Sequence, residues 1–145
     1  RETCRFPYYK DSEDAGFVAA VDSLLADKLT TLQWWEENRE LSERFYREVL
    51  SMEGDAPRTC EPWICRRIVD MHLHSPAMLA ILPLQDWLAT DAALRSPHAD
   101  RERINIPAAP RYYWRYRMHL TLEELLRQEP FNATLREMII AGGRR

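Results

Sequence analysis

Residues 75–91, SPAMLAILPLQDWLATD, are the stretch on which the fold turns. Met78 to Leu82 is a short apolar run stopped by Pro83. A run of that length, ended by proline, fits a fully buried strand as well as a turn of helix. Leu84 to Ala89 then restarts as helix. If the run is a strand, Gln85 and Asp86 follow it directly, at the carboxyl end where α/β enzymes place ligand-binding groups. If it is not, Asp86 is simply a capping residue for the helix that follows. Spacing alone favours the cap.

Upstream, Thr31 to Leu50 carries a strong helix signal, with Thr30 or Thr31 as cap. Leu32, Trp35, Leu41, Phe45 and Val49 keep close to helical spacing, while Glu36, Glu40, Glu43 and Arg47 lie largely elsewhere. Glu40–Arg44 and Glu43–Arg47 have the spacing of favourable ion pairs. Gly54, Asp55 and Pro57 close this unit with a loop. Pro62 suits a first helical position, and a second helix runs from there through Ile64, Ile68 and Met71 to about His74. Phe17 to Leu25 reads as helix or buried strand.

Downstream, residues 95–111 form a polar, proline-bearing loop of a length that is often functional. Pro107 and Pro110 stiffen it and favour extended backbone just ahead of them. Tyr112, Tyr113, Trp114 and Tyr116 then place four aromatic rings within five positions. Thr121 and Glu124 form a capping box. A helix to about Arg127 follows, then one from Asn132 to Ile140, ended by Gly142-Gly143. The inventory is mainly α with one or two short strands, too few for an independent sheet.

Composition bounds the function. The chain has 145 residues, 46% hydrophobic and 30% charged, as a soluble globular domain does. No apolar run can span a bilayer, and the first residues lack the core of a signal peptide. Arg1 stands where an initiator Met is expected, which points to processing or to a piece of a longer chain. The net charge of −3 argues against nucleic acid, although arginine and aromatic rings between Arg111 and Arg117 have the composition of a single-strand binder. Core packing is the simpler reading of that run, as it is of Trp34-Trp35.

Cys4, Cys60 and Cys65 do not make a disulfide framework or a zinc site, so reduced, buried thiols in a cytoplasmic protein are expected. His72 and His74 lack the helical spacing of a metal pair, and there is no glycine-rich phosphate loop. Neither a metal nor a cofactor is indicated. Asp27, just ahead of the first strong helix, reads as an exposed or capping residue or as a carboxylate at a strand end.

Taken in order, TTLQWWEENRELSERFY (30–46), SPAMLAILPLQDWLATD (75–91) and ERINIPAAPRYYWRYRMHLTLEELL (102–126) resemble the carboxyl-terminal part of 4-α-glucanotransferases, the amylomaltase or disproportionating enzymes. The likeness runs from about Asp27 to Arg144, with residues 1–26 as a diverged lead-in. It implies a carboxyl-terminal fragment of a (β/α)8 barrel, spanning 27–145, with Met78–Leu82 as the last strand.

It also implies a retaining transfer between maltodextrins, in which one carboxylate attacks and a second acts as acid and then base. Both would lie upstream, in the other part of the barrel, which becomes a required partner. Asp27, seven residues before Trp34, takes the place of a third, transition-state-stabilising carboxylate. Ala26 stands where the family has His. By the same resemblance Gln85 and Asp86 sit near the sugar-binding end, Asn105 and Pro107 line the donor side, and Tyr112 to Arg117 lock the last helices onto the barrel. A complete barrel needs about 250 residues, so this chain alone is expected to be inactive. A stand-alone helical binding module is the alternative.

Overall fold

A computed structural model of the chain describes residues 31–102 and 116–144. The described part is helical. Asp27, Asn105, Pro107, Phe17–Leu25 and Tyr112–Arg115 lie outside it.

The periodic stretch from Thr31 folds as α1 (Thr31–Glu37), α2 (Arg39–Arg44) and a single π-helical turn over Phe45–Val49. The expected continuous helix is therefore interrupted, at Asn38, where φ is −117° and ψ is 62°. Polar side chains account for the break. Asn38 Nδ2 donates to Trp34 O (3.0 Å), and Ser42 Oγ donates to Trp35 O (2.7 Å) and Asn38 O (2.9 Å). Side chains of this kind offer carbonyls an alternative to the helical ladder.

The apolar face survives the break. Leu32, Trp34, Trp35, Phe45 and Tyr46 are buried, with Leu41 and Val49 packed against them. Trp34 meets Phe45 edge to face, with ring centroids 6.0 Å apart. Trp35 Nε1 donates to Pro57 O (2.9 Å), which pins the loop over residues 51–61 to this core. Arg39 reinforces the tie by donating to Ala56 O, to Pro57 O (2.6 Å) and to Glu43, which in turn accepts from Ala56 N (3.1 Å). Glu43 thus pairs with Arg39, and Arg44 pairs with Glu48 at 3.2 Å.

Pro62 opens α3 (Pro62–Leu73), as expected, after Glu61 in extended conformation. Ile64, Cys65, Ile68 and Met71 pack into the tryptophan cluster. His72 is buried on the same helix, and burial pushes its pKa down to about 4. His74 caps the helix, its amide donating to Asp70 O (3.0 Å). Its ring stands beside the Asp70 carboxylate at 3.3 Å.

The strand expected at Met78–Leu82 is not formed, and no strand occurs among the described residues. The run is also not buried. Met78 is 89% exposed, Leu79 65% and Ile81 84%. A strand is stable only when neighbours satisfy its ladder and cover its faces, and the described residues supply no neighbouring strand. Its amino-terminal end is nonetheless held. Arg144 Nε donates to Leu73 O (2.9 Å), Nη1 to Ala77 O (2.5 Å), and Nη2 to Ser75 O (2.7 Å). One guanidinium thereby collects carbonyls about seventy residues away in sequence.

Gly142 allows this approach, because a Cβ there would stand 2.8 Å from Leu73 Cβ. Gly143, at φ +70°, turns the chain so that Arg144 faces the cleft between α3 and the run.

Beyond Pro83 come α4 (Leu84–Leu88), a 3-10 turn (Ala99–Glu102), α5 (Leu122–Leu126) and α6 (Glu129–Ala141). Thr121 and Glu124 complete the capping box in both directions (2.7 and 3.2 Å). The last helix begins three residues earlier than expected. Pro130 is accommodated in its first turn, and Asn132 links the helix to α5 through Leu125 O (3.0 Å). Leu88, Leu94 and Phe131 form a second, smaller core, against which Trp87, Met118, Leu120, Leu125 and Leu135 pack. No helix among the described residues is long and apolar enough to cross a membrane.

Candidate functional site

Buried polar groups gather where α4 meets the start of α1. Pro83, at φ −63° and ψ 149°, turns the chain into α4. This directs both Gln85 and Asp86 into the protein, where they are buried. Asp86 caps a helix, but not its own. Its Oδ1 accepts from Thr31 N at 2.9 Å, 55 residues away, and so closes the first turn of α1. Amides of a first turn have no intrahelical partner, so a carboxylate there replaces the missing acceptor. Burial raises the Asp86 pKa, against the lowering effect of the Thr31 hydrogen bonds.

Glu102, at the end of the 3-10 turn, is 2% exposed, and neither carboxylate oxygen has a partner among the described residues. Burial pushes it up to about 7, the Asp86 charge adds to the shift, and Arg95 opposes it. Tyr116 shares this environment. Its hydroxyl is buried without a described partner, and burial and the charge of Glu102 raise its pKa. Gln85 Nε2 is a third buried group without a described partner. Native proteins seldom leave buried polar atoms unmatched, which sets these groups apart from the rest of the described residues.

Arg95 acts on Glu102 and on the Cys60 thiol and also lines a cavity of about 530 Å³ with Leu32, Glu36, Thr59, Ser96 and His98. Arg95 is the one residue named here that both lines the cavity and acts on the buried Glu102 carboxylate. Among the described residues no group of three or more His, Cys, Asp or Glu side chains is placed to hold a metal.

The structure buries both Gln85 and Asp86, and ties Asp86 to the start of α1. Asp27, Asn105 and Pro107, the other residues singled out from the sequence, lie outside the described residues. The sequence gives no site role to Arg95, Glu102 or Tyr116. Glu102 and Tyr116 lie inside the 102–126 stretch, where Tyr116 reads as a packing ring, and nothing in their spacing distinguishes a buried polar group from an exposed one. His98 is an exposed loop residue, and His119 bonds Leu94 O through Nε2 at 2.9 Å.

Comparison with known proteins gives this site its context. Residues 18–122 match the family model of 4-alpha-glucanotransferases. The chain belongs to the 4-alpha-glucanotransferase family. It is 39% identical over 118 residues to the 4-alpha-glucanotransferase DPE2 of Oryza sativa subsp. japonica, an alignment that takes in 81% of this chain and 12% of that protein. The chain thus spans about an eighth of the length of this curated relative. No solved structure matches it. The buried polar groups from Thr31 to Tyr116 lie inside the family-matched segment, whereas all of α6 and Arg144 lie beyond it.

Proposed function

We propose that this chain supplies the carboxyl-terminal part of a (β/α)8 barrel that transfers α-1,4-glucan segments between maltodextrins. The observation that carries the reading is the exposure of Met78, Leu79 and Ile81 in an apolar run set just ahead of the buried Gln85 and Asp86. An apolar run this bare is covered in the working protein. A barrel provides the cover, because each strand is paired on both edges and overlaid by helices. The upstream part of the same enzyme is the partner this requires, and in its presence the run takes up ladder pairing.

The reaction follows from retaining glycosyl transfer. One carboxylate attacks the anomeric carbon while a second protonates the leaving oxygen. The second then takes a proton from an acceptor sugar hydroxyl, which displaces the enzyme carboxylate. Both groups belong to the upstream part, so the chain is inactive alone. Asp27 is the third carboxylate and stabilises the positively charged, distorted sugar in the transition state. Gln85 and Asp86 stand at the sugar-binding end, with Asn105 and Pro107 on the donor side. Asp86 acts there by holding α1 in place, and Gln85 contributes a buried amide donor.

Maltotriose disproportionation tests the reading. The purified chain is expected to release no glucose. The chain joined behind an upstream barrel segment of the family is expected to produce glucose and longer dextrins, and Asp27→Asn in that protein to abolish this. Transfer by the chain alone, or full activity of the Asp27→Asn protein, would sink the proposal.

A further inference from the structure

Cys60 and Cys65 lie side by side in the main core, their Sγ atoms 3.3 Å apart and both residues no more than 1% exposed. Each is a free thiol. A disulfide has an S–S length of about 2.05 Å, so the two sulfurs must approach by about a further 1.2 Å to bond. Cys65 is fixed at the end of the first turn of helix α3. Cys60 is at the end of the loop whose residues 51–55, 58 and 59 are exposed and which is held by Trp35, Arg39 and Glu43. One thiol is therefore anchored, and the other is carried on a segment that can open locally. Burial raises the Cys60 pKa, which keeps the closed pair inert.

We propose that Cys60 and Cys65 form a reversible disulfide that braces the 51–61 loop against α3, with a low-molecular-weight disulfide as oxidant. When the loop opens, the Cys60 thiol loses its proton and attacks one sulfur of the oxidant. A mixed disulfide forms and one oxidant thiolate leaves. As the loop closes, Cys65 loses its proton and attacks the Cys60 sulfur, expelling the second oxidant thiolate. Two protein thiols are oxidised, one disulfide is reduced to two thiols, and the two protons pass to the departing thiolates. The bridge locks the loop whose carbonyls hold Trp35 and Arg39, so it stiffens the tryptophan core from its solvent side.

The test treats the whole chain with oxidised glutathione at about pH 8, near the ordinary thiol pKa. Intact mass, peptide mapping after alkylation and hydrogen exchange are then read. A loss of two hydrogens, a peptide linking residues 60 and 65, reversal by dithiothreitol and slowed exchange over 56–61 are expected. Cys4→Ser is expected to behave in the same way, and Cys60→Ser and Cys65→Ser to lose the linkage. The midpoint of thermal unfolding is expected to rise by about 5 °C. Free alkylatable thiols at both positions, a retained glutathione adduct, a bridge to Cys4, or linkage without slowed exchange would overturn the proposal.

Discussion

Two apolar clusters of similar composition behave in opposite ways. Around Trp34, Trp35 and Phe45, rings and aliphatic chains from α1, α2, the π-helical turn and α3 enclose one another, and side-chain hydrogen bonds tie down the covering loop. Between Met78 and Leu84, residues just as apolar face solvent. The difference is one of partners. The first cluster finds its partners within about forty residues, through helices that fold on local signals. The second needs the long-range pairing that a sheet demands. One region is a finished core; the other leaves its apolar side chains in solvent.

The largest effect should come from breaking the finished side. Trp35→Ala removes a fully buried ring and its bond to Pro57 and should cost about 4 kcal/mol, seen as a lower urea midpoint. For a single domain of ordinary stability that is a large share of the total.

Next comes the pH response of the same core. His72 has a folded pKa of about 4, below its ordinary value of 6.5. The unfolded chain therefore binds the proton more readily. The stability contributed by neutral His72 is complete above about pH 6.5 and is lost as pH falls toward 4, at about 3 kcal/mol in full. Urea midpoints measured across that window should fall, and His72→Leu should flatten the dependence.

At the seam between the regions, Arg144→Ala frees the carbonyls of Leu73, Ser75 and Ala77. It should cost about 2 kcal/mol and speed hydrogen exchange near residues 75–78. Arg144→Lys should recover only part of this, since an ammonium cannot reproduce the planar fork. The smallest effect belongs to the open side. Ile81→Ala should change the stability of the chain by under about 0.5 kcal/mol. A loss as large as that at Trp35 would mean that the run is packed and would erase the contrast.

Legibility follows the same division. The helix from Pro62, the Thr121–Glu124 capping box and the glycine stop after α6 rest on contacts a few residues apart, and all three form where they were read. The break at Asn38 was not read, because it depends on polar side chains competing with a ladder that the apolar spacing favours. At the candidate site, Gln85 and Asp86 were singled out by their place after an apolar run. Glu102, Tyr116 and Arg95 were not, since burial of a charge is decided by what lies over it. Asp86 shows the limit well. A cap was a fair reading of its type and place, but the helix it caps begins 55 residues earlier.

By itself, the sequence determined the helical segments, their apolar faces and their caps, and its ordered motifs were enough to place the chain among the 4-alpha-glucanotransferases. These are matters of nearest neighbours and of pattern. Only the tertiary structure decided which helix Asp86 serves, that Arg144 holds the turn after α3, that Cys60 and Cys65 touch, and that Met78–Leu82 stands bare. Each of these depends on where distant parts of the chain meet. Local propensity carries no information about that, because the free energy comes from burial and pairing between elements and not from within them.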